Sequence, residues 1–368
     1  MSAGNAKARL LAPSRVSLTA ETVRVLKENI MTGIWHDFLP GERVLCEQLQ
    51  ISRPTLRTAL QVLAKDGWIA VAHGHRTRLL SNAASKISQS NAVIVGMLSP
   101  EPLEMMPPFV MLWLDELRHQ LAAAGHLLHV QVGKGGFARN QPEHALRTLV
   151  DSSPATVWIL YQSTEAMQRW FAMNDARCIV VGSLFEGISL PSIDRDYRAT
   201  CRHAVGLLSG RGHSSIALLI QEGRFGGDLE SELGFQEGLA AMHRRKVRGM
   251  IMHHDGTPEK IGRCIQRLLS LRERPSALLV ARSAHALTAL TVLLTLGVQV
   301  PQEMALLCRD DDAFLDHVIP KMSRYTVAPA VFAKKLFRLV MHEVQEGQSK
   351  SQSQSGHVLP AFLERDSL

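Results

Sequence analysis

The side chains best suited to chemistry lie in one short basic stretch near the start of the chain. Leu56, Ala59, Leu60 and Leu63 have the i, i+3, i+4, i+7 spacing of a buried helix face. Ser52 can cap this helix at its N-terminus. The polar side chains between the apolar ones then point outward, where they can bind phosphates or read base edges of duplex DNA. These candidates are Ser52, Arg53, Thr55, Arg57, Thr58 and Gln61.

Each of these side chains suits a particular contact. Arg53 lies at the helix N-terminus, where its guanidinium and the backbone N–H groups can hold a phosphate. Arg57 has the geometry for a bidentate guanine contact. Thr55, Thr58 and Gln61 can reach base edges or phosphates, although a helix-packing role for Thr55 remains an equal alternative.

Three helices and a hairpin must position these side chains. The apolar patterns predict a helix over about Thr19–Thr32, a short helical segment over Arg43–Gln48, and the capped helix that ends at Lys65-Asp66-Gly67. Arg43 joins the DNA-contacting candidates. Short strands over Trp68–Ala72 and Thr77–Leu80 enclose a turn, whose His75 and Arg76 would enter the minor groove or clamp the DNA backbone. Together these elements predict a winged helix over residues 1–80.

The distribution of charge supports a polyanion-binding head. The chain has a net charge of +7, and residues 1–90 account for +6 of it, with 12 Lys and Arg against 6 Asp and Glu. The remaining residues are nearly neutral. A small basic module joined to a large neutral one indicates a nucleic-acid-binding head on a body with another task.

The rest of the chain predicts an α/β body. Residues 81–90 are small and polar, which is typical of a linker, and from residue 91 apolar strands alternate with amphipathic helices. Such alternation indicates parallel sheets covered on both faces. We therefore predict a small winged helix-turn-helix domain followed by a two-lobed α/β body over residues 91–368, each lobe a doubly wound, mostly parallel sheet. The polar stretch Gly347–Gly356 is expected to form an exposed flexible loop.

Composition excludes several classes of protein. A chain of 368 residues with 46% apolar and 20% charged residues is typical of a globular protein with two or three domains. No apolar run approaches the roughly 20 residues of a membrane-spanning helix, and no secretory signal is visible, so a cytoplasmic location is expected. The five cysteines, which lack metal-ligand spacing, are expected to be reduced thiols: Cys46, Cys178, Cys201, Cys264 and Cys308.

Three motifs that suggest catalysis or metal binding are better explained as surface structure. Gly133-Lys134-Gly135-Gly136 lacks the complete G-x-G-x-x-G spacing, and His253-His254-Asp255 has no further ligand cluster nearby. Gly212-His213-Ser214 enters a strand and lacks the G-x-S-x-G pattern of a nucleophile elbow. We therefore expect no enzyme activity, no metal and no cofactor.

The N-terminal elements resemble the GntR-type winged helix-turn-helix over about Ser17–Leu80. The matching pieces have the family's order: the opening helix, Leu39-Pro40-Gly41-Glu42-Arg43, Ile51 to Leu60, the Asp66-Gly67 stop and the glycine-containing wing. The segment between Glu42 and Ser52 is several residues shorter than usual, so the second helix is expected to begin differently. The resemblance implies specific binding of a dimer to a palindromic duplex operator.

The remainder, about Asn91–Ser367, resembles the effector-binding core of LacI-type repressors, itself similar to periplasmic sugar-binding proteins. The resemblance rests on fragments whose order and spacing match, among them Asp194, Tyr197, Gly234-Phe235, Asp310-Asp311 and Ile319-Pro320. A GntR-type head on a LacI-type body is similar to arabinose-type repressors. It implies a first lobe of about 91–192 and 326–346, and a second of about 193–325 and 347–368. A homodimeric, nucleoid-associated bacterial repressor controlled by a small molecule is the expected function.

The carboxyl ends of the strands supply the candidate effector-binding residues, because ligands of open α/β sheets bind there. These are Ser99, Gln162, Glu222, Arg224, Arg282 and Asp310. Departures from the LacI-type pattern add positive charge: Arg282-Ser283 replaces an Asn-Asp pair, Arg309 precedes Asp310, and Ser231 replaces a sugar-binding arginine. An anionic sugar would satisfy the arginines.

The alternative is that Arg282 and Arg309 pair internally with Asp310 and Asp311. The body would then only dimerise and would have lost effector binding.

Overall fold

Three helices and a two-stranded hairpin form the head of the chain. Helix α1 spans Leu18–Met31, α2 spans Glu42–Leu49 and α3 spans Arg53–Lys65, and strands β1 (Ile69–Ala70) and β2 (Arg78–Leu79) pair antiparallel. The apolar spacing of the sequence explains their packing, since one side of each helix contributes to a single buried cluster that includes Leu26, Leu45, Leu56, Leu63 and Ile69. The predicted winged helix is confirmed.

The computed structural model describes residues 18–31, 35, 38–70, 77–80, 92–138, 142–174, 176–223, 225–243, 246–345 and 355–368. The chain divides into two compact units between residues 92 and 93. The wing-tip candidates His75 and Arg76, the expected linker 81–90 and the effector candidate Arg224 lie outside the described residues. None of the described helices is both long and apolar enough to span a membrane.

The ends of α2 and α3 follow from local sequence. The side chain of Ser52 accepts a hydrogen bond from the backbone N–H of Thr55 at 3.3 Å, which is the predicted N-cap of α3. Gly41 precedes α2 and offers no side-chain cap. Gln50, which follows α2, has φ 51° and ψ 42°, in the left-handed region that glycine adopts without strain.

The first lobe of the body contains a six-stranded sheet. Its strands are β3 (Ile94–Ser99), β4 (Leu127–Val132), β5 (Val157–Tyr161), β6 (Cys178–Val181), β7 (Ser192–Arg195) and β13 (Ser355–Val358). They lie in the order β13-β7-β6-β5-β3-β4, and every neighbouring pair is parallel. Helices α4 (Pro108–Ala123) and α11 (Pro329–Gln345) pack on one face, and α5 (Glu143–Asp151) and α6 (Glu165–Met173) pack on the other.

The second lobe repeats this arrangement. Its strands are β8 (Ser215–Gln221), β9 (Arg248–His254), β10 (Ala277–Val280), β11 (Ala305–Cys308), β12 (Ser323–Thr326) and β14 (Ala361–Leu363). Their order is β14-β12-β11-β10-β8-β9, and only β14 runs antiparallel to its neighbour. Helices α7 (Tyr197–Gly210) and α8 (Gly226–Ala241) cover one face, and α9 (Pro258–Leu269) and α10 (Ser283–Thr295) cover the other. The predicted doubly wound, two-lobed body is confirmed.

The crossings between the lobes differ from the expected ones. Strand β7 pairs within the first lobe through Arg195, so the first crossing follows that residue rather than residue 192. The resemblance places residues 347–368 in the second lobe, but β13 pairs with β7 of the first lobe, and the last crossing lies at Leu359 and Pro360. The polar composition of Ser355 and Gly356 concealed this strand, because an edge strand needs only its backbone groups for pairing.

The strained turn after α2 yields a stability prediction. Gln50→Gly should stabilise the head by about 0.5–1 kcal/mol, because glycine adopts the left-handed conformation without the Cβ clash. Gln48→Gly is the matched control, since Gln48 is also exposed but lies inside α2. It should destabilise the head by about 1 kcal/mol. Hydrogen exchange of α2 and α3 amides in the full chain measures both, and weaker protection in Gln50→Gly contradicts the strain.

Candidate functional site

The described surface of α2 and α3 presents the candidate DNA-contacting side chains. Arg43, Arg53, Arg57 and Gln61 are exposed. Arg53 occupies the first position of α3, where backbone N–H groups of the first turn have no intrahelical partner. This end of α3 therefore combines a side-chain cation with fixed backbone donors, which is the chemistry of a phosphate site.

The hydroxyl candidates have local roles as well. Besides its capping bond, the Ser52 hydroxyl lies 2.8 Å from the hydroxyl of Thr55. Thr58 donates its hydroxyl proton to the carbonyl oxygen of Pro54 at 3.0 Å. Ser52 thus stabilises the start of α3, while the lone pairs of the exposed Thr58 hydroxyl stay open to solvent.

Glu42 orients the arginine predicted to read bases. Arg57 donates from Nε to Oε2 of Glu42 at 3.0 Å, and their side chains are 66% and 43% exposed. At this exposure the pair adds little to stability. Because the bond uses Nε, the terminal nitrogens of Arg57 keep the fork needed for a bidentate base contact.

A cavity of about 330 Å³ lies between the two lobes of the body, at the carboxyl ends of both sheets. Aromatic side chains form much of its wall: Phe109, Trp113, Tyr161, Tyr197, Phe225 and Phe332. Charged side chains form the rest: Asp194, Arg195, Asp228, Arg282, Arg309, Asp310 and Asp311. This mixture of apolar faces and a few polar groups is typical of small-molecule sites.

The charges of the cavity are paired in an alternating series. Arg195 Nη1 lies 3.4 Å from Asp310 Oδ1, which lies 3.3 Å from Arg309 Nε. Arg309 Nη1 lies 3.5 Å from Asp228 Oδ1, and Arg282 Nη2 lies 3.3 Å from Asp228 Oδ2. Asp310 and Asp228 are therefore each shared by two guanidinium groups. Since Arg195 ends β7 and Asp310 follows β11, the series crosses from one lobe to the other.

Burial and pairing oppose one another at these groups. Burial disfavours the charge of Asp310, but Arg195 and Arg309 outweigh it and lower the pKa of this carboxyl. Burial likewise disfavours the charge of Arg309, but Asp310, Tyr197 and Asp228 raise its pKa. Asp194 differs, because burial raises its pKa despite a hydrogen bond from Ser183. The central pair is thus ionised and held by mutual compensation.

The cavity includes three of the effector candidates and not the others. Gln162, Arg282 and Asp310 line it. Ser99 does not, because its fully buried hydroxyl donates to the carbonyl oxygen of Glu101 at 2.7 Å. Glu222 also does not line it. Its side chain is exposed, and its backbone N–H donates to the carbonyl of His254.

The internal pairing of arginines and aspartates, which the sequence offers as the alternative to ligand binding, is present with different partners. Arg309 pairs with Asp310, as that alternative required, but Arg282 pairs with Asp228. Asp311 instead accepts from Arg324.

Several lining residues were missed as site residues. Tyr161 and Arg195 each end a strand, so the carboxyl-end rule contained the signal for them. Asp228 and His285 lie in the first turns of α8 and α10, which follow strands of the second lobe. Helix starts of this kind face the same edge of the sheet, and searching them would have found both residues.

The geometry shows no cluster suited to metal-dependent chemistry in the part of the chain that is described, where no three His, Cys, Asp or Glu side chains converge. His253, one of the residues considered for a metal, instead lies 2.8 Å from Glu232 through Nε2.

Comparison with known proteins agrees with both parts of the fold. Residues 18–79 match the gntR family of bacterial regulatory proteins, and residues 205–368 match the periplasmic binding protein-like domain. The fatty acid metabolism regulator protein of Shewanella pealeana is 33% identical over 127 residues, which cover 33% of this chain and 47% of that protein. Its counterpart in Haemophilus influenzae is 41% identical over 59 residues, 14% of this chain and 24% of that protein. The chain thus spans less than half the length of these relatives.

Solved structures share the fold at low identity. A putative LacI transcriptional regulator from Bacillus cereus subsp. cytotoxis has a TM-score of 0.66 at 14% identity, covering 75% of this chain and 98% of that one. A LacI family regulatory protein from Chloroflexus aggregans has a TM-score of 0.64 at 19% identity, covering 74% and 98%. The transcriptional regulator CelR in complex with cellobiose has a TM-score of 0.64 at 17% identity, covering 96% and 100%. The chain therefore joins a winged helix-turn-helix that matches the gntR family to a body that matches the periplasmic binding protein-like domain and shares the fold of LacI-family regulators.

Proposed function

We propose that the chain is a homodimeric repressor whose affinity for a palindromic operator is controlled by a sugar-type small molecule bound between the lobes. The observation that carries this proposal is the inter-lobe cavity with its aromatic walls and paired charges. Aromatic rings pack against the apolar faces of sugar rings, while carboxylates and guanidinium groups bond to hydroxyls or acidic groups. That CelR forms a complex with cellobiose is consistent with this class of ligand.

The head supports the DNA-binding half of the proposal. Its exposed arginines lie on α2 and α3. In helix-turn-helix proteins the second helix of such a pair is the recognition helix, which lies in the major groove. In this arrangement Arg57 reads a guanine, Arg53 and Arg43 bind phosphates, and Thr58 and Gln61 contact neighbouring groups. We infer a cytoplasmic location from this activity, since operator DNA lies there in a bacterium.

A second candidate function is a DNA-binding protein whose body only dimerises. The internal pairing of Arg309 with Asp310 and Asp228 favours it, because these charges need no ligand for compensation. The two functions differ in one observable, which is whether any small molecule changes operator affinity.

Two arginines should have separable effects on DNA binding. Arg57→Ala should cost about 1–3 kcal/mol at one base position in each half-site, because alanine cannot make the bidentate bond to a base. Arg53→Ala should weaken binding to operator and random duplexes alike and reduce the salt slope by about 1 for each phosphate that the variant no longer binds. Gel-shift titrations at several salt concentrations measure both.

Arg169→Ala is the control for these titrations, since this arginine pairs with Glu165 on the body surface and should leave DNA binding unchanged. An equal weakening on operator and random DNA in Arg57→Ala would refute its role in reading a base.

Glu42 should affect specificity more than affinity. Glu42→Gln removes a negative charge near the DNA and loosens the bond that orients Arg57. Binding to random duplex should therefore tighten, while the ratio of operator to random affinity should fall. The same titrations measure the ratio, and an unchanged ratio means that Glu42 does not orient Arg57 on DNA.

Each of the two compact units should keep its own binding activity when it is produced as a separate fragment. Residues 93–368 should sediment as a dimer and bind no DNA, while residues 1–92 should bind a half-site weakly, because linking two weak contacts raises the affinity of the dimer. Sedimentation and gel-shift assays of both fragments check this. If the body fragment sediments as a monomer, the dimer contact lies in the head instead.

A further inference from the structure

One corner of the cavity carries a positive charge that is compensated on one side only. Arg195 has Asp194 and Asp310 as neighbours, and Arg309 lies between Asp310 and Asp228. Arg282 ends this series. Asp228 is the one carboxylate within ion-pair distance of it among the described residues. The opposite end of the series is Arg195, which has Asp310 within ion-pair distance and the carboxyl group of Asp194 as a further neighbour.

Unpartnered nitrogen atoms collect at the Arg282 corner. Arg282 Nε, His254 Nε2 and His285 Nδ1 are buried and make no hydrogen bond to any described residue. The two histidine rings are 4.6 Å apart at an angle of 84°, and the charge of Arg282 acts on both. These three atoms belong to one corner, whose Arg282 and His285 line the cavity.

Two of these atoms are donors without an acceptor. His254 is 3% exposed, and its Nδ1 accepts the backbone N–H of Gly256 at 3.0 Å. An accepting Nδ1 places the proton of the neutral ring on Nε2. Arg282 Nε always carries a proton. Buried donors left without acceptors are costly, so the corner favours a group that accepts at least two hydrogen bonds.

The histidines add no charge of their own near neutral pH. Burial, followed by the charge of Arg282, lowers the pKa of His254 to about 4. Burial, followed by His254 and Arg282, lowers the pKa of His285 to about 4. The positive charge of the corner is therefore that of Arg282, whose partner Asp228 is shared with Arg309.

The guanidinium is also within reach of a ligand. The Arg282 side chain is 30% exposed, compared with 3% for Arg309, and it lies 5.7 Å from the ring centre of Phe225 on the cavity wall. A neutral hydroxyl could accept one of the free donors but would add no negative charge beside Arg282, which shares Asp228 with Arg309. A carboxylate or a phosphate both accepts the bonds and supplies a second negative charge to Arg282.

We propose that Arg282, His254 and His285 bind an oxyanion, the carboxylate or phosphate group of the small molecule held in the cavity. The remainder of that molecule lies against the aromatic walls. This inference rests on the proposed effector function and narrows the effector to an anionic class.

Thermal unfolding of the full chain tests the corner, with inorganic phosphate and acetate as probes and sodium chloride at matched ionic strength as reference. At least one probe should raise Tm saturably. Arg282→Met, which keeps an unbranched apolar side chain, should weaken the apparent affinity for that probe roughly tenfold or more, as expected when charge-assisted hydrogen bonds are removed. The tighter probe distinguishes a phosphate from a carboxylate site.

A control variant isolates the corner from other anion contacts. Arg169→Met lacks a surface arginine of the body and should keep the full response. Absence of a saturable shift with either probe, or an equal shift in Arg282→Met, overturns the proposal.

Release of operator DNA by sugars tests the oxyanion corner separately from the proposed regulatory function. Glucose, glucuronate and glucose 6-phosphate are compared at equal concentration on the wild type and Arg282→Met. Equal release by neutral glucose in both proteins overturns the oxyanion corner but supports an effector-controlled regulator. The second possible outcome is a Tm response to phosphate that depends on Arg282, together with an operator affinity that no ligand of the cavity changes. This outcome supports the oxyanion corner and contradicts effector control.

Discussion

A buried guanidinium determines how the walls of the cavity are arranged. Arg309 is 4% exposed, and such a charge is stable in a protein interior only when carboxylates and further hydrogen bonds compensate for the water that burial removes. Asp310 and Asp228 supply the charge, Ser231 accepts a hydrogen bond at 2.5 Å, and the ring of Tyr197 lies 4.0 Å from the guanidinium. These groups come from α7, α8 and the segment after β11, so satisfying one cation fixes three elements.

The same requirement extends across the lobes. Asp310 belongs to the second lobe and also pairs with Arg195 of the first, whose guanidinium lies over the rings of Phe109 and Tyr197 at 4.9 and 5.1 Å. The lobes also meet at the start of α8, where a Cβ on Gly226 would lie 2.6 Å from the carbonyl oxygen of Ser183. A glycine is needed there because any side chain would push α8 away from the first lobe. Charge pairing and close backbone approach thus define one geometry of the cavity.

Local pattern and tertiary placement explain how far the sequence could predict this molecule. The cap at Ser52 and the buried face of α3 depend on residues within one helix, and both were predictable from spacing alone. The carboxyl-end rule found Gln162, Arg282 and Asp310, since it depends only on where strands stop. It failed for Ser99, because a strand's last side chain can point into the core rather than the cavity. The carboxyl-end rule could not predict the partners of the cavity arginines. Asp228 lies 54 positions before Arg282, and only the packing of α8 against the sheet brings them together.

The order of charges would also direct the response of the body to the proposed anion. Asp310 and Asp228 are each shared by two arginines, so a change at one end alters how the next carboxylate is divided. An anion at Arg282 would draw that guanidinium from Asp228, which would then interact more strongly with Arg309. Arg309 would in turn compete less for Asp310, leaving it to Arg195 of the first lobe. Because a ligand shifts a conformational equilibrium only by binding one state more tightly, strengthening this inter-lobe pair favours the state in which the lobes are in contact.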